Sequence, residues 1–322
     1  MAFTFRPATR ENVSLLIGLS GGTGSGKTYT AMRLAKGIAG DQPFAVIDTE
    51  AGRAKHYADR FRFDHGDLTP PFRPDAYAAA IAAADAAKYP VIVVDSTSHE
   101  WAGEGGILDW QEAELTKMAG EDYRKREACK MAAWIKPKTS HKQMVQRLLQ
   151  VRAHLILCFR AEPKIEMVRG DDGKMQIVEK KTLTGLHGWV PVTEKNLPFE
   201  LTASFLLMAD RPGIPLPIKL QEQHKELFPL DRPITEDSGV RLAAWSKGAS
   251  GLLPAVDWTA CIAAAADPAA LAALGKKLDA AKHGIAESTL TQLRAHFKAR
   301  HDVLSKPKPA DAGPLDAGEV FK

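Results

Sequence analysis

The segment Gly21-Gly22-Thr23-Gly24-Ser25-Gly26-Lys27-Thr28 constrains this chain more than any other, because it fits G-x-x-x-x-G-K-[ST] and sits between a strand pattern and a helix pattern. Residues 15–21 (LLIGLSG) read as a central parallel strand covered on both faces. Residues 27–39 place Ala31, Met32, Leu34, Ala35 and Ile38 at helical spacing, with Gly40 as the stop. Between the two, glycines let consecutive backbone N–H groups turn inward around a phosphate without Cβ clashes, at the positive end of the helix that follows. Gly21, Gly22, Thr23, Gly24, Ser25, Gly26, Lys27 and Thr28 are therefore the expected ATP-binding residues. Lys27 is expected to reach the β- and γ-phosphate oxygens, and the Thr28 hydroxyl to ligate Mg²⁺.

The pattern continues as alternating strands and helices, which implies an α/β fold with a mainly parallel sheet and helices on both faces. FAVID (44–48) is the second strand, an alanine-rich helix with Asp75 as N-cap runs to Lys88, VIVVD (91–95) is the third strand and LILCF (155–159) the fourth. An Asp-Asp-Gly turn between alternating segments predicts a protruding β-hairpin over 164–181. Residues 200–210 and 214–220 are expected to finish the sheet on an antiparallel edge. Four parts follow: an ATPase core over 1–246, a Gly/Ser/Pro linker over 247–255, a small two-helix appendage over 256–301 broken near His283-Gly284, and a disordered tail over 302–322.

Composition narrows the classes of partner. A formal net charge of +4 makes any nucleic-acid contact a matter of local basic patches. The three cysteines are scattered without CxxC spacing, which argues against a zinc site or disulfide framework and suits a reducing cytoplasm. The first residues are too polar for a signal peptide, and no apolar run approaches the length of a membrane helix, so no membrane is expected as a partner.

Two acidic positions complete the phosphate chemistry. Asp95 ends an apolar strand beside the phosphate loop, where it would hold the Mg²⁺ shell. Residue 96 is a serine, so the carboxylate that orients the attacking water is sought at the end of another strand. Asp48 and Glu50 leave the second strand two residues apart, and Glu50 is assigned as the base, with Asp48 or Glu100 as alternatives. These elements resemble those of RecA-like sheets, and that resemblance implies that the strand carrying Glu50 lies next to the phosphate-loop strand.

The phosphate loop, VIDTEAGRA and VIVVDS together resemble the ATPase core of bacterial RecA. DSTSHEW with GEGGILD, HLILCFRAEPK and NLPFELTASFLLMAD look like the phage AAA-type ATP-binding proteins that include the core-only, RecA-like Sak-group recombinases. The resemblance covers roughly residues 3–246. It implies a DNA-stimulated ATPase that acts on single-stranded DNA in recombination or annealing, in the bacterial host cytoplasm if phage-encoded. The alternative is a nucleotide-switched loader or adaptor for a replication or packaging machine.

That resemblance also implies a γ-phosphate sensor at the end of the fourth strand. Arg160 occupies that place, either as sensor and catalytic cation or as a partner for Glu162. It implies a DNA-contacting loop over 163–198, where Lys164, Arg169, Lys174, Lys180, Lys181 and Lys195 interleave with Trp189 and His187. The stretch Lys117–Lys142 is a second basic candidate, or an amphipathic surface helix. Homo-oligomers with shared ATP sites are implied as well, with Lys195, Arg211 or Lys219 as the cation from the neighbour. Phe5-Arg6-Pro7-Ala8 is either a docking peptide or an edge strand, Arg53 a phosphate contact or a loop anchor, and the tail a possible contact for a single-strand-binding protein.

Overall fold

A computed structural model describes residues 13–169, 174–179, 188–248, 258–281 and 287–305. The chain divides into two compact units, Met1–Gly251 and Leu252–Lys322. The Phe5 peptide, Lys180, Lys181, His187, most of the linker and the tail from residue 306 lie outside the described residues.

The first unit is built on an eight-stranded sheet. Its strands are β1 (Leu16–Gly21), β2 (Phe44–Asp48), β3 (Phe63–Asp67), β4 (Val91–Asp95), β5 (His154–Pro163), β8 (Trp189–Pro191), β9 (Ala203–Met208) and β10 (Arg211–Lys219). The order is β10-β9-β1-β5-β4-β2-β3, with β8 pairing antiparallel to the outer end of β5. β9 to β3 are parallel throughout, and β10 turns back antiparallel on β9. A separate hairpin, β6 (Ile165–Arg169) with β7 (Met175–Glu179), follows β5 directly.

Alternate residues of the parallel strands enter two cores, which is why these strands read as unbroken apolar runs. Ile17, Leu19, Val46, Val93, Ile156 and Phe205 face α1 (Lys27–Ala39) and α8 (Glu236–Ser246). Leu16, Ile47, Ile92, Val94, Leu155 and Leu157 face α2 (Pro74–Ala86) and α6 (Ile135–Leu148). Between β4 and α6 lie α3 (Ser98–Ala102), α4 (Ile107–Ala119) and α5 (Tyr123–Cys129). α7 (Leu197–Glu200) leads into β9.

Several expectations are corrected. Phe63–Asp67 forms a strand that its Asp, His and Gly content conceals, because only an edge position tolerates that composition. Arg73 precedes α2, Pro74 takes its first position and Asp75 lies inside its first turn. β2 is not adjacent to β1, since β5 and β4 stand between them. Among the described residues the second unit holds three helices, α9 (Trp258–Ala264), α10 (Pro268–Ala281) and α11 (Glu287–Leu304), and the expected break near His283-Gly284 lies outside the described residues. The break missed is Asp267-Pro268, where the Asp267 carboxylate accepts the Ala270 N–H at 2.7 Å. α11 also carries helix to Leu304, inside the expected tail. Among the described residues no helix is long and apolar enough to cross a membrane.

Candidate functional site

The carboxyl ends of the parallel strands bring the sequence-predicted residues to one edge of the sheet. Register pairs Gly21 with Arg160 across β1 and β5, and aligns Cys158, Asp95 and Asp48 across β5, β4 and β2. In an open parallel sheet this edge is where ligands bind.

After β1 the chain turns through Gly24 (φ 78°) and Gly26 (φ 79°), both left-handed, so that Gly26 caps α1. A Cβ on Gly21 would lie 2.5 Å from the Leu207 carbonyl oxygen and from Ser25 Oγ. The first turn of α1 holds no acidic residue and no side chain caps it, which leaves its backbone N–H groups and positive dipole end for an anion. Lys27 Nζ donates to the Gly22 carbonyl at 3.1 Å, and the Thr28 hydroxyl donates to Asp95 Oδ2 at 2.5 Å. Burial raises the Asp95 carboxyl pKa above the usual range, and the Thr28 hydrogen bond opposes that shift. This donor set fits a nucleoside triphosphate with Mg²⁺: a glycine cradle, a cation and a hydroxyl–carboxylate pair.

β2 delivers the acidic pair in two different states. Asp48 is 2% exposed and committed to the loop that follows it and to β3, accepting from the Glu50 N–H (2.6 Å), the Ala54 N–H (2.9 Å) and His65 Nε2 (3.2 Å). Glu100 is fully buried and accepts from His141 Nδ1 at 2.9 Å. Glu50 instead faces two guanidinium groups. Its Oε1 accepts from Arg160 Nη2 at 2.8 Å and its Oε2 from Arg53 Nη1 at 2.5 Å. Burial works against its charge, but the hydrogen bond to Arg160 and the charges of Arg160, Arg53 and His99 outweigh it, and its pKa is lowered. The alternative that Arg160 pairs with Glu162 is therefore corrected: its side-chain partner is Glu50.

Thr49 and His99 belong to this site and escaped the sequence reading. The Thr49 hydroxyl accepts the Ser96 N–H at 2.8 Å, bonds the Ser96 carbonyl at 3.1 Å and meets His99 Nδ1 at 2.7 Å. It ties the end of β2 to the end of β4. A threonine between two acids gives no signal of this, because its partners come from another strand.

Of the described residues expected to contact DNA, Lys164, Arg169 and Lys174 fall on the β6–β7 hairpin or its approach and Trp189 on β8. Lys164 and Arg169 are exposed on β6 and its approach, and Lys174 is exposed just before β7. Trp189, expected as a stacking platform, is half-buried: it packs with Ala161, Leu206 and Met208, and a Cβ on Gly22 would lie 3.1 Å from its ring. Its ring therefore lies against the start of the phosphate loop. In the second basic stretch, Lys117 and Lys136 pair with Glu114, Arg126 with Glu112 and Lys130 with Glu127, so much of that charge is neutralised on the spot. Lys219 donates to the Phe199 carbonyl at 2.6 Å, whereas Lys195 and Arg211 are exposed.

A sequence model of AAA domains matches residues 14–193, over half of the chain. The chain belongs to the AAA-domain family. Membership places this AAA-domain chain among P-loop ATPases, for which nucleotide and usually Mg²⁺ use is implied. Among solved structures it is similar to the KaiC-like protein PH0186 from the hyperthermophilic archaeon Pyrococcus horikoshii OT3. The identity is 16%, over 56% of this chain and 85% of that one, with a TM-score of 0.27. No curated protein matches this AAA-domain chain.

Proposed function

We propose that this chain is a RecA-like ATPase that binds ATP with Mg²⁺ at Gly21–Thr28 and couples its hydrolysis to single-stranded DNA, in recombination or annealing of the phage type. The observation that carries the ATPase part is the convergence of the left-handed glycines, Lys27 and the Thr28–Asp95 pair at one sheet edge, with Glu50 two strands beyond β5. Thr28 and Asp95 would hold Mg²⁺, which when bound would neutralise phosphate charge. Lys27 binds the β- and γ-phosphates, and Glu50 orients the water and takes up its proton as the water oxygen bonds to the γ-phosphorus and the bond from that phosphorus to the β,γ-bridging oxygen breaks, ADP leaving with the electron pair. A cation from a neighbouring copy, Arg211 or Lys195, completes the charge balance in a homo-oligomer with shared sites. DNA coupling is supported by exposed Lys164, Arg169 and Lys174 on the hairpin that β5 carries.

A second reading, a nucleotide-switched loader or adaptor, is favoured by the opposite character of the same hairpin. Ile165, Met167, Met175 and Ile177 are each more than half exposed, and the register sets Met167 opposite Ile177. Such a face suits a protein partner better than a phosphate backbone. Steady-state ATP hydrolysis with and without single-stranded DNA, at low and moderate salt, separates the two. Several-fold stimulation that fades with salt is expected, and rates indifferent to DNA would favour the adaptor. Lys27→Ala should abolish ATP binding, and Glu50→Gln should leave binding intact while cutting kcat by roughly 100-fold or more; retained hydrolysis in both would refute the site.

A further inference from the structure

The amino edge of the sheet, opposite the phosphate loop, holds a cavity of about 400 Å³. It opens where β1 and β5 begin and where α1, α2 and α8 end. Its charges do not balance. Lys88 follows α2, Arg152 precedes β5 and Lys247 follows α8. Among the described residues that line it, Asp85 is the one carboxylate, and it is committed to the Arg152 segment. Its Oδ1 accepts the Arg152 N–H at 3.2 Å and the Ala153 N–H at 3.0 Å, and its Oδ2 lies 3.5 Å from Arg152 Nε. Neither the Lys88 nor the Lys247 ammonium has a hydrogen-bond or ion-pair partner among the described residues.

His154 adds a further donor to the same wall. Its Nδ1 accepts the Leu15 N–H at 3.3 Å, which places the ring proton on Nε2. That N–H meets Ser246 Oγ only at 3.5 Å, beyond the usual N–H···O range, and Ser246 directs its own proton to the Ala243 carbonyl at 2.9 Å. Burial, and then the Lys247 charge, hold the imidazole neutral, with a pKa of about 4. A lysine at the end of a helix is ordinary where it answers the carbonyl end of the dipole, as Lys36 does at α1 by donating to the Gly40 carbonyl at 2.7 Å. Lys88 and Lys247 make no such bond among the described residues. Lys88 moreover holds φ 65°, left-handed backbone that glycine would adopt without strain. The rest of the wall is apolar, from Ile38, Pro90 and Ala243, beside a Tyr89 ring fixed by its hydroxyl's bond to Asp64 at 2.7 Å.

We propose that this cavity is a second ligand site, for a small organic phosphate whose anionic end is held by Lys88, Lys247 and the His154 Nε2–H and whose body lies along Ile38, Tyr89 and Pro90. A phosphate fits the donors better than a carboxylate does. Two ammonium groups are point charges that match a compact dianion, whereas the planar fork suited to a carboxylate, Arg152, faces Asp85. The site is distinct from Gly21–Thr28, which lies at the carboxyl edge of the same sheet, and it stands whether or not Glu50 orients the water.

The test is calorimetric titration of the full chain with phenyl phosphate at low ionic strength, in a Lys27→Ala background that silences the phosphate loop. One saturable site is expected. Adding Lys88→Gly and Lys247→Gln should weaken it by at least about tenfold, and the glycine relieves the backbone at residue 88, so the loss is not one of folding. Benzoate and inorganic phosphate should each bind more weakly, the first for want of the dianion and the second for want of a body. A second readout uses the wild type and needs no change at Lys27. The His154 ring proton signal, identified by its disappearance in His154→Gln, should titrate near pH 4 in the free chain and at about 5 or higher with phenyl phosphate bound, because the dianion favours the imidazolium over the opposing charges of Lys88, Arg152 and Lys247. No saturable binding up to about 5 mM would overturn the inference. So would binding that survives loss of both lysines, or a His154 titration that phenyl phosphate leaves unmoved. Benzoate binding as tightly as phenyl phosphate would overturn the assignment of a phosphate.

Discussion

Thr49 shows how one side chain can set the geometry of two strands. Its hydroxyl is shared among the Ser96 N–H, the Ser96 carbonyl and His99, and its own N–H donates to the Asp95 carbonyl at 2.9 Å. Glu50 follows it directly, so the separation of Glu50 from Asp95 depends on that hydroxyl. Thr49→Val keeps the shape and removes the bonds, leaving the buried Ser96 N–H without its acceptor. Its kcat should fall by roughly tenfold or more with KM for ATP little changed, since small misplacements of a reacting group are costly. Wild-type kcat in Thr49→Val would show that the strand ladder alone places Glu50. At this scale the sequence exposed what is local. The glycine spacing, Lys27 and Thr28 need only their neighbours, and Asp95 needs only the end of an apolar run. Thr49, His99 and the Arg160–Glu50 pair were hidden because each depends on which strands lie side by side.

Elements here meet where side chains are missing. α1 crosses α8 at Gly37 and Gly239: a Cβ on Gly239 would come 2.3 Å from the Leu34 carbonyl oxygen, and one on Gly37 would come 2.0 Å from the Glu236 carbonyl oxygen. Arg33 clamps the same crossing through a bidentate pair with Glu236 at 2.6–2.9 Å. Because α1 carries the phosphate loop at its start, Gly239→Ala should cost about 2 kcal/mol. It should also weaken ATP binding, read by urea unfolding and by nucleotide titration of the same sample. No loss in either would mean the two helices separate freely. His154 makes a second inter-element link at the opposite end of the sheet, accepting the Leu15 N–H at Nδ1 and facing Ser246 Oγ with Nε2. Burial first, and the Lys247 charge second, lower its pKa from 6.5 to about 4. The folded state therefore prefers neutral His154, and the stability it protects is present above pH 6.5 and lost as pH falls toward 4. By pH 5 the loss is about 2 kcal/mol. Urea midpoints measured from pH 7.5 to 5 should drop more for the wild type than for His154→Gln, and parallel curves would refute the assignment. Neither contact was legible from one strand or helix alone, since periodicity marks a buried face without naming what covers it.

The whole molecule adds to what the family match describes. The AAA-domain match ends at residue 193, yet β9 and β10 lie beyond it, and β9 pairs with β1 along Ile17 to Gly21. The Leu207 carbonyl packs where a Gly21 Cβ would lie, and the Gly213 N–H donates to the Ser25 carbonyl at 3.1 Å, so the phosphate loop is braced by residues outside the matched segment. β10 then closes the edge with Pro212, Pro215 and Pro217, which cannot donate to a further strand. The alternation of strands and helices gave the layered α/β plan. The order of strands was misjudged because β3 hid in a polar edge sequence and because crossover lengths do not say which neighbour a strand joins. The second unit carries its own small core of Ile262, Leu271, Leu278 and Leu293. A chain cut after Gly251 should thus fold, bind ATP and keep its main melting transition. A chain cut after Thr193 should fail, because it exposes the unpaired edge of β1 and removes Phe205 and Leu207 from one core and Leu201 from the other. Circular dichroism melts and nucleotide binding on the two truncations decide this. A cooperatively folding, ATP-binding chain ending at Thr193 would mean that β9 and β10 are an accessory to the sheet, and that the phosphate loop holds its shape without them.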